Sequence, residues 1–136
     1  MIAFSIGVAL AIVLAVAGRV TKFDRDRSFF ATILIVIATY YVLFSFISFE
    51  AMAIEIVIAS VFSIIALVGA LRWPLLLGAG IFLHGVFDLI HVQLIDNSGV
   101  PVWWPSFCVG VDVVLGIWVI YLVQVKKTLE HSNDST

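Results

Sequence analysis

Residues 75–95 read LLLGAGIFLHGVFDLIHVQLI, an apolar run whose only polar members are His84, Asp88, His91 and one glutamine. A helix needs about 20 predominantly apolar residues to cross the hydrocarbon core of a bilayer. The run is too long for a barrel strand and lacks the alternation of one. It therefore predicts a membrane-spanning helix that carries three ionisable side chains.

The composition of the whole chain agrees with this prediction. Of its 136 residues, 63% are hydrophobic and only 12% are charged, and the mean hydropathy is +1.22. Soluble domains are typically about 45–50% apolar and about 25% charged. These values exclude a soluble enzyme, a nucleic-acid-binding protein and a disordered chain. The single cysteine, Cys108, excludes an intrachain disulfide and a metal site built from several cysteines.

Five apolar runs predict an all-α integral membrane protein that forms one bundle of five transmembrane helices. The first run lacks the positively charged start of a signal peptide, and its stripe of small residues is typical of closely packed spanning helices. We therefore expect it to be retained as a span. The predicted transmembrane domain covers residues 1–128, with spans at about 1–18, 29–48, 51–71, 75–95 and 105–125, and a polar cytoplasmic tail follows at 129–136.

The basic residues predict the orientation of this bundle. All seven lie after span 1, after span 3 or after span 5, and the other two loops carry none. The positive-inside rule then places the N-terminus outside and the C-terminus in the cytoplasm. We expect a multi-pass protein of the plasma (inner) membrane, whose partner is the lipid bilayer and not nucleic acid, and which can form homo-oligomers.

Ionisable side chains within the spans carry the functional signal. Each costs at least about 2.5–3.5 kcal/mol at a helix centre, so each needs a reason to be there. At 100° per residue, the three in span 4 fall within an arc of about 60° on one helix face. Counting residues from the span ends places the polar groups of four spans in the outer half of the bundle, and the inner half is almost purely apolar. The group comprises Tyr41, Ser45, Glu55, His84, Asp88, His91 and Asp112.

Imidazole and carboxylate groups at one depth are suitable ligands for a divalent transition metal, with Zn²⁺ favoured. We expect Asp88, His91 and Asp112 to bind one ion. His84 lies two turns from His91, about 10 Å along the helix axis, so both are not expected to bind the same ion. We assign His84 as a general acid or base, and Glu55 as a base or as the residue that completes the ligand set.

Such a site predicts a metal-dependent hydrolase that acts on a lipid or another hydrophobic substrate. The residues expected to contact this lipid-like ligand are Tyr41 and Ser45 on span 2, Cys108 on span 5, and Trp103 and Trp104 in the outer loop, which is either a lid or an interfacial anchor. In placing His and Asp within helices, the chain resembles intramembrane metal hydrolases such as alkaline ceramidases and the progestin and adipoQ receptors. Those proteins have seven spans and a second histidine pair on a later helix, which this chain lacks.

Other interpretations of the same residues remain open. The carboxylates and histidines can form buried structural pairs, and they are also typical of proton relays and ion paths. The protein can therefore be a binder or transporter of protons or of a small amphipathic ligand. It can also be an accessory subunit of a membrane complex, since it is short and has no soluble domain.

Overall fold

A computed structural model describes residues 1–134, without the side chains of residues 130, 131, 133 and 134. Within this range all regular secondary structure is helical, and there is no strand. All five long helices are long and apolar enough to cross a membrane, as expected of a multi-pass membrane protein. The helices are α1 (Ile2–Thr21), α2 (Arg27–Ser48), α3 (Met52–Leu71), α4 (Pro74–Leu94) and α5 (Trp104–Asp134), and a 3₁₀ turn (Phe23–Arg25) joins α1 to α2.

The helix boundaries agree with the predicted spans to within about three residues, with one exception. Helix α5 continues to Asp134, whereas span 5 was predicted to end near Val125. The sequence after Gly116 contains neither glycine nor proline to end a helix. The predicted polar tail is therefore helical up to residue 134, and its last two residues lie outside the described range.

The connections between helices are short and locally specified. Asp26 caps α2, because its side chain accepts a hydrogen bond from the Ser28 backbone N–H. This bond and the Ser28 hydroxyl lower the pKa of Asp26 below its usual value. Helices α2 and α3 are joined by three residues only, and Phe49 and Ala51 in this turn both adopt left-handed backbone conformations, with φ of 60° and 54°.

Helix α4 is the central element of the bundle. It packs against α3 and α5 and also contacts α2, while α1 packs on the other side of α5. Close approach of α4 and α5 depends on glycine, since a Cβ on Gly85 would lie 2.9 Å from the Cβ of Asp112. The small-residue stripe of α1 (Gly7, Ala11, Ala15 and Gly18) comprises the buried residues of that helix, which confirms its predicted role in packing.

The two ends of the bundle differ in chemistry. At the basic end, which carries the connections 22–26 and 72–73, the buried side chains are apolar, among them Leu34, Leu77 and Leu115. At the polar end, which carries the connections 49–51 and 95–103, the buried side chains form a polar cluster. The predicted segregation of polar and apolar interior is thus confirmed. The polar cluster consists of Tyr41, Ser45, Glu55, His84, Asp88, His91, Asn97 and Asp112, each at most 8% exposed.

Candidate functional site

His84 lies at the centre of three titratable side chains from α4 and α5. Its Nδ1 atom is 2.8 Å from Oδ2 of Asp112 and 3.5 Å from Oδ2 of Asp88. All three side chains are at most 1% exposed. The edge of the Phe62 ring packs on the His84 imidazole with a centroid distance of 4.7 Å. An imidazole therefore lies between two carboxylates in an interior that excludes solvent.

Helix geometry explains why Asp112 meets His84. Asp112 is eight residues from the start of α5, which is about 12 Å along the axis at 1.5 Å per residue. On the antiparallel α4, Asp88 lies about 9 Å and His84 about 15 Å from the same end. Asp112 thus lies at a depth between Asp88 and His84, and Gly85 leaves the space that its Cβ needs.

The same three residues can hold a metal ion. One ligand atom from each of His84, Asp88 and Asp112 lies within 4.8 Å of the other two. Ligand atoms of a tetrahedral zinc site lie about 3.3 Å apart, given metal–ligand distances of about 2.0 Å, so small side-chain rotations would suffice. Oδ2 of Asp88 and Oδ1 of Asp112 are buried and have no hydrogen-bond partner among the described protein atoms. Oδ2 of Asp88 has only the 3.5 Å contact with Nδ1 of His84. The donor set and these two oxygens fit a divalent transition metal.

A second buried pair lies closer to the polar end. Nε2 of His91 is 2.8 Å from Oε1 of Glu55, so this pair joins α4 to α3. The same oxygen accepts a hydrogen bond of 3.0 Å from the Asn97 side-chain amide. The second oxygen of Glu55 and Nδ1 of His91 have no hydrogen-bond partner within the described residues.

Tyr41 on α2 contacts both groups. Its hydroxyl donates a hydrogen bond of 2.6 Å to Oδ1 of Asp88. Its ring lies against the His91 imidazole, with a centroid distance of 4.0 Å and an angle of 34° between the planes. The polar cluster is therefore one connected structure to which α2, α3, α4, α5 and the 95–103 connection all contribute.

The grouping of ligands differs from the predicted one in one respect. We expected His91 to bind metal with Asp88 and Asp112, and His84 to act as the acid or base. The structure instead places His84 beside both aspartates and His91 beside Glu55. The residue count from the span ends could not separate these alternatives, because it located Asp112 only to within one helical turn.

The residues predicted to contact substrate fall into two groups. Tyr41, Ser45 and Cys108 are buried at the polar end, and Cys108 lies one turn before Asp112 on α5. Trp103 and Trp104 lie instead on aromatic neighbours: Trp103 packs against Phe107 and Trp104, and Trp104 packs against Tyr40 and Phe44. Neither tryptophan ring packs against a ring of the polar cluster.

Asn97 is the residue that sequence reasoning missed. Its place in a polar connection, Asp96 to Gly99, is typical of a turn, yet its side chain is inserted into the bundle and is 8% exposed. The available signal was its position, since it lies in the connection between the two helices that carry His84, Asp88 and Asp112. An asparagine three residues after the end of a helix is too common in turns to be singled out by that signal alone.

Comparisons with known proteins give no family for this chain: no protein-family model, no curated protein and no solved structure matches it.

Proposed function

We propose that this protein is an intramembrane metalloprotein in which His84, Asp88 and Asp112 bind one divalent transition metal ion, with Zn²⁺ favoured. The observation that carries the proposal is the convergence of three ligand atoms within 4.8 Å in a fully buried interior. Two carboxylates and one neutral imidazole supply a net charge of −2, which a divalent cation balances. Buried charges without such a partner are costly in a membrane.

The enzymatic form of the proposal is a hydrolase that acts on a lipid or another hydrophobic substrate. Three protein ligands leave one position of a tetrahedral site for water or substrate, as in catalytic zinc sites, where the metal lowers the pKa of bound water. Glu55 and His91 would accept and release protons next to that site. Tyr41 would fix the orientation of the Asp88 carboxylate through its hydrogen bond.

The surrounding bilayer would supply the substrate. The basic end would face the cytoplasm by the positive-inside rule, so the polar end with its site would face the outside of a plasma membrane. This orientation would present the site to lipids of the outer leaflet.

One observation favours a second candidate function, the binding or transfer of protons or of a small ligand without turnover. The polar cluster is closed, since its side chains are at most 8% exposed. Two apolar grooves on the outside of the bundle are lined by other residues. A hydrolase must open to admit substrate, whereas a proton-binding or ion-binding site can remain closed.

Metal analysis of the purified protein tests the proposal. After incubation with Zn²⁺ and desalting, wild-type protein should retain about one equivalent, and His84→Gln and Asp112→Asn should each retain much less. Asp96→Asn is the matched control, because it removes an exposed carboxylate at the same end of the bundle and should retain the metal. His91→Gln distinguishes the two ligand sets, since only the predicted set that includes His91 would lose metal with it. Folded, monodisperse wild-type protein that binds neither Zn²⁺, Fe²⁺ nor Mn²⁺ would overturn the proposal.

A further inference from the structure

The Asn97 side chain fills a polar socket at the polar end of the bundle. Its Nδ2, which carries two hydrogens, lies within hydrogen-bond distance of three acceptors: Oγ of Ser45 at 2.9 Å, Oε1 of Glu55 at 3.0 Å and the backbone carbonyl of Tyr41 at 3.3 Å. Its Oδ1 accepts a hydrogen bond of 3.0 Å from the Ser48 hydroxyl. These four partners belong to α2 or α3, whereas Asn97 belongs to the connection between α4 and α5. A fifth partner lies in that same connection, where the Gly99 backbone N–H donates to Oδ1 at 3.3 Å.

Further polar atoms of the cluster lie beneath the Asn97 side chain, on the inner side of the socket. Glu55 is 1% exposed, and its Oε2 has no hydrogen-bond partner within the described residues, although its Oε1 is bonded to Asn97. His91 follows on the other side of Glu55, and Tyr41 then connects to Asp88. Asn97 is the most exposed member of this series of contacts, at 8%, and Asp88 is its inner end.

A second contact holds the plug in place at the surface. The Glu50 carboxylate in the α2–α3 turn accepts hydrogen bonds from the Ser98 backbone N–H at 3.1 Å and from the Ser98 hydroxyl at 2.7 Å. The backbone of Gly99 approaches the end of α2 so closely that a Cβ there would overlap the carbonyl oxygen of Phe44. Both contacts follow Asn97 in the chain, and the exposed Glu50–Ser98 contact can break without unfolding a helix.

The charge distribution indicates what such an opening would admit. Five of the nine acidic residues of the chain lie at the polar end, at positions 50, 55, 88, 96 and 112. All seven basic residues lie toward the other end. Two of the acidic residues, Glu50 and Asp96, are exposed next to the plug, so the local potential attracts cations and repels anions.

From these contacts we infer that Asn97 is a removable plug that closes a cation-selective aqueous route from the polar end of the bundle to His84, Asp88 and Asp112. The cation part of this inference rests on the proposed metal site. The plug itself does not, since it closes the route whichever polar species the cluster binds.

Modification of Cys108, the only cysteine, measures the opening of the route without any metal. Cys108 is 1% exposed and lies one turn from Asp112, so it reacts with a small water-soluble thiol reagent only when water reaches this depth. In protein reconstituted into lipid nanodiscs, Asn97→Ala should react at least tenfold faster than wild type. Asp96→Asn, an exposed neighbour in the same loop, should react within twofold of wild type. Cys108→Ser should show no modification.

Two further measurements test the plug. Ser98→Ala removes only a surface contact and should raise the rate by a smaller factor, so it serves if Asn97→Ala does not fold. The rate at which a chelator removes bound Zn²⁺ should rise in the same order, from wild type to Ser98→Ala to Asn97→Ala. Failure of wild type to bind metal would refute the proposed function and leave the Cys108 result interpretable. A folded Asn97→Ala variant whose Cys108 reacts at the wild-type rate would overturn the plug.

Discussion

Removal of the Tyr41 hydroxyl is the most direct test of the connection between the two halves of the polar cluster. Tyr41→Phe deletes the donor of the 2.6 Å hydrogen bond to Asp88 and leaves Oδ1 of Asp88 buried without a hydrogen-bond partner. The other oxygen, Oδ2, has only a 3.5 Å contact with Nδ1 of His84. The Phe ring keeps the contact with the His91 imidazole, because the ring position does not change. The substitution therefore isolates one hydrogen bond.

The size of the effect follows from where the bond lies. Leaving a buried polar group unsatisfied costs about 1–3 kcal/mol in soluble proteins. Hydrogen bonds between membrane helices average about 0.6 kcal/mol, with a maximum near 1.7, because the unfolded chain in the membrane also finds partners. We expect the free energy of unfolding to fall by about 1–2 kcal/mol, a 5- to 30-fold change in the unfolding equilibrium constant. Metal affinity should fall about 10- to 100-fold, as when the partner of a ligating group is lost.

Equilibrium unfolding in mixed detergent micelles, followed by circular dichroism, measures the first effect, and zinc titration measures the second. Tyr40→Phe is the matched control, since Tyr40 is the preceding residue, is 37% exposed and makes no hydrogen bond through its hydroxyl within the described residues. If Tyr41→Phe behaves like Tyr40→Phe in both assays, the bond to Asp88 neither stabilises the bundle nor orients a ligand.

Three further predictions concern packing, pH and orientation. Gly85→Ala places a methyl group 2.9 Å from the Cβ of Asp112 and should lower the free energy of unfolding by about 1–3 kcal/mol. Gly18→Ala is the control and should cost less, because the nearest contact of its methyl group would be 3.5 Å. Equal effects would contradict the close packing of α4 and α5. Hydrogen bonds from Ser98 lower the pKa of Glu50. The stability that these bonds give the folded protein is therefore complete above the ordinary carboxyl pKa of about 4.3, and it is lost as the pH falls through the lowered pKa. Thermal unfolding of wild type and Ser98→Ala should therefore differ at pH 7 and converge as the pH falls below the lowered pKa of Glu50, and a constant difference would refute the contact. A reporter enzyme that works only in the cytoplasm should be active when it is fused to the C-terminus. Activity of a fused reporter that works only outside the cytoplasm would contradict the orientation inferred from the basic residues.

The sequence was sufficient for the architecture because membrane helices obey strong local constraints. Length and hydropathy specify each span, and short connections leave the chain few ways to order them. The end of α5 escaped prediction because a polar sequence without glycine or proline can continue a helix beyond the membrane. Side-chain grouping was predictable to one helical turn and no further: the count from the span ends brought Asp88 and Asp112 together, but the choice between His84 and His91 depends on the axial offset of α4 and α5.

Long-range contacts of the loop residues could not be predicted in the same way. Asn97 binds Ser45 and Glu55, which precede it by 52 and 42 residues, and no periodicity relates a loop residue to such partners. The Glu50–Ser98 contact has the same character, and each of its residues alone reads as an ordinary solvated group in a turn.

The pattern of unpaired atoms argues against a purely structural role for the polar cluster. A polar network that only holds helices together gains most when every member is satisfied, and buried ion pairs can often be replaced by apolar residues without loss of stability. Within the described residues, six buried side-chain atoms lack a hydrogen-bond partner, and four of them belong to Glu55, Asp88, His91 and Asp112, the other two being tryptophan Nε1 atoms. Three of the four are carboxylate oxygens, and the fourth is an imidazole nitrogen. One of them, Oδ2 of Asp88, keeps a 3.5 Å contact with Nδ1 of His84. These atom types bind cations or protons, so the atoms without hydrogen bonds match the chemistry proposed for the cluster and are costly to the fold without it.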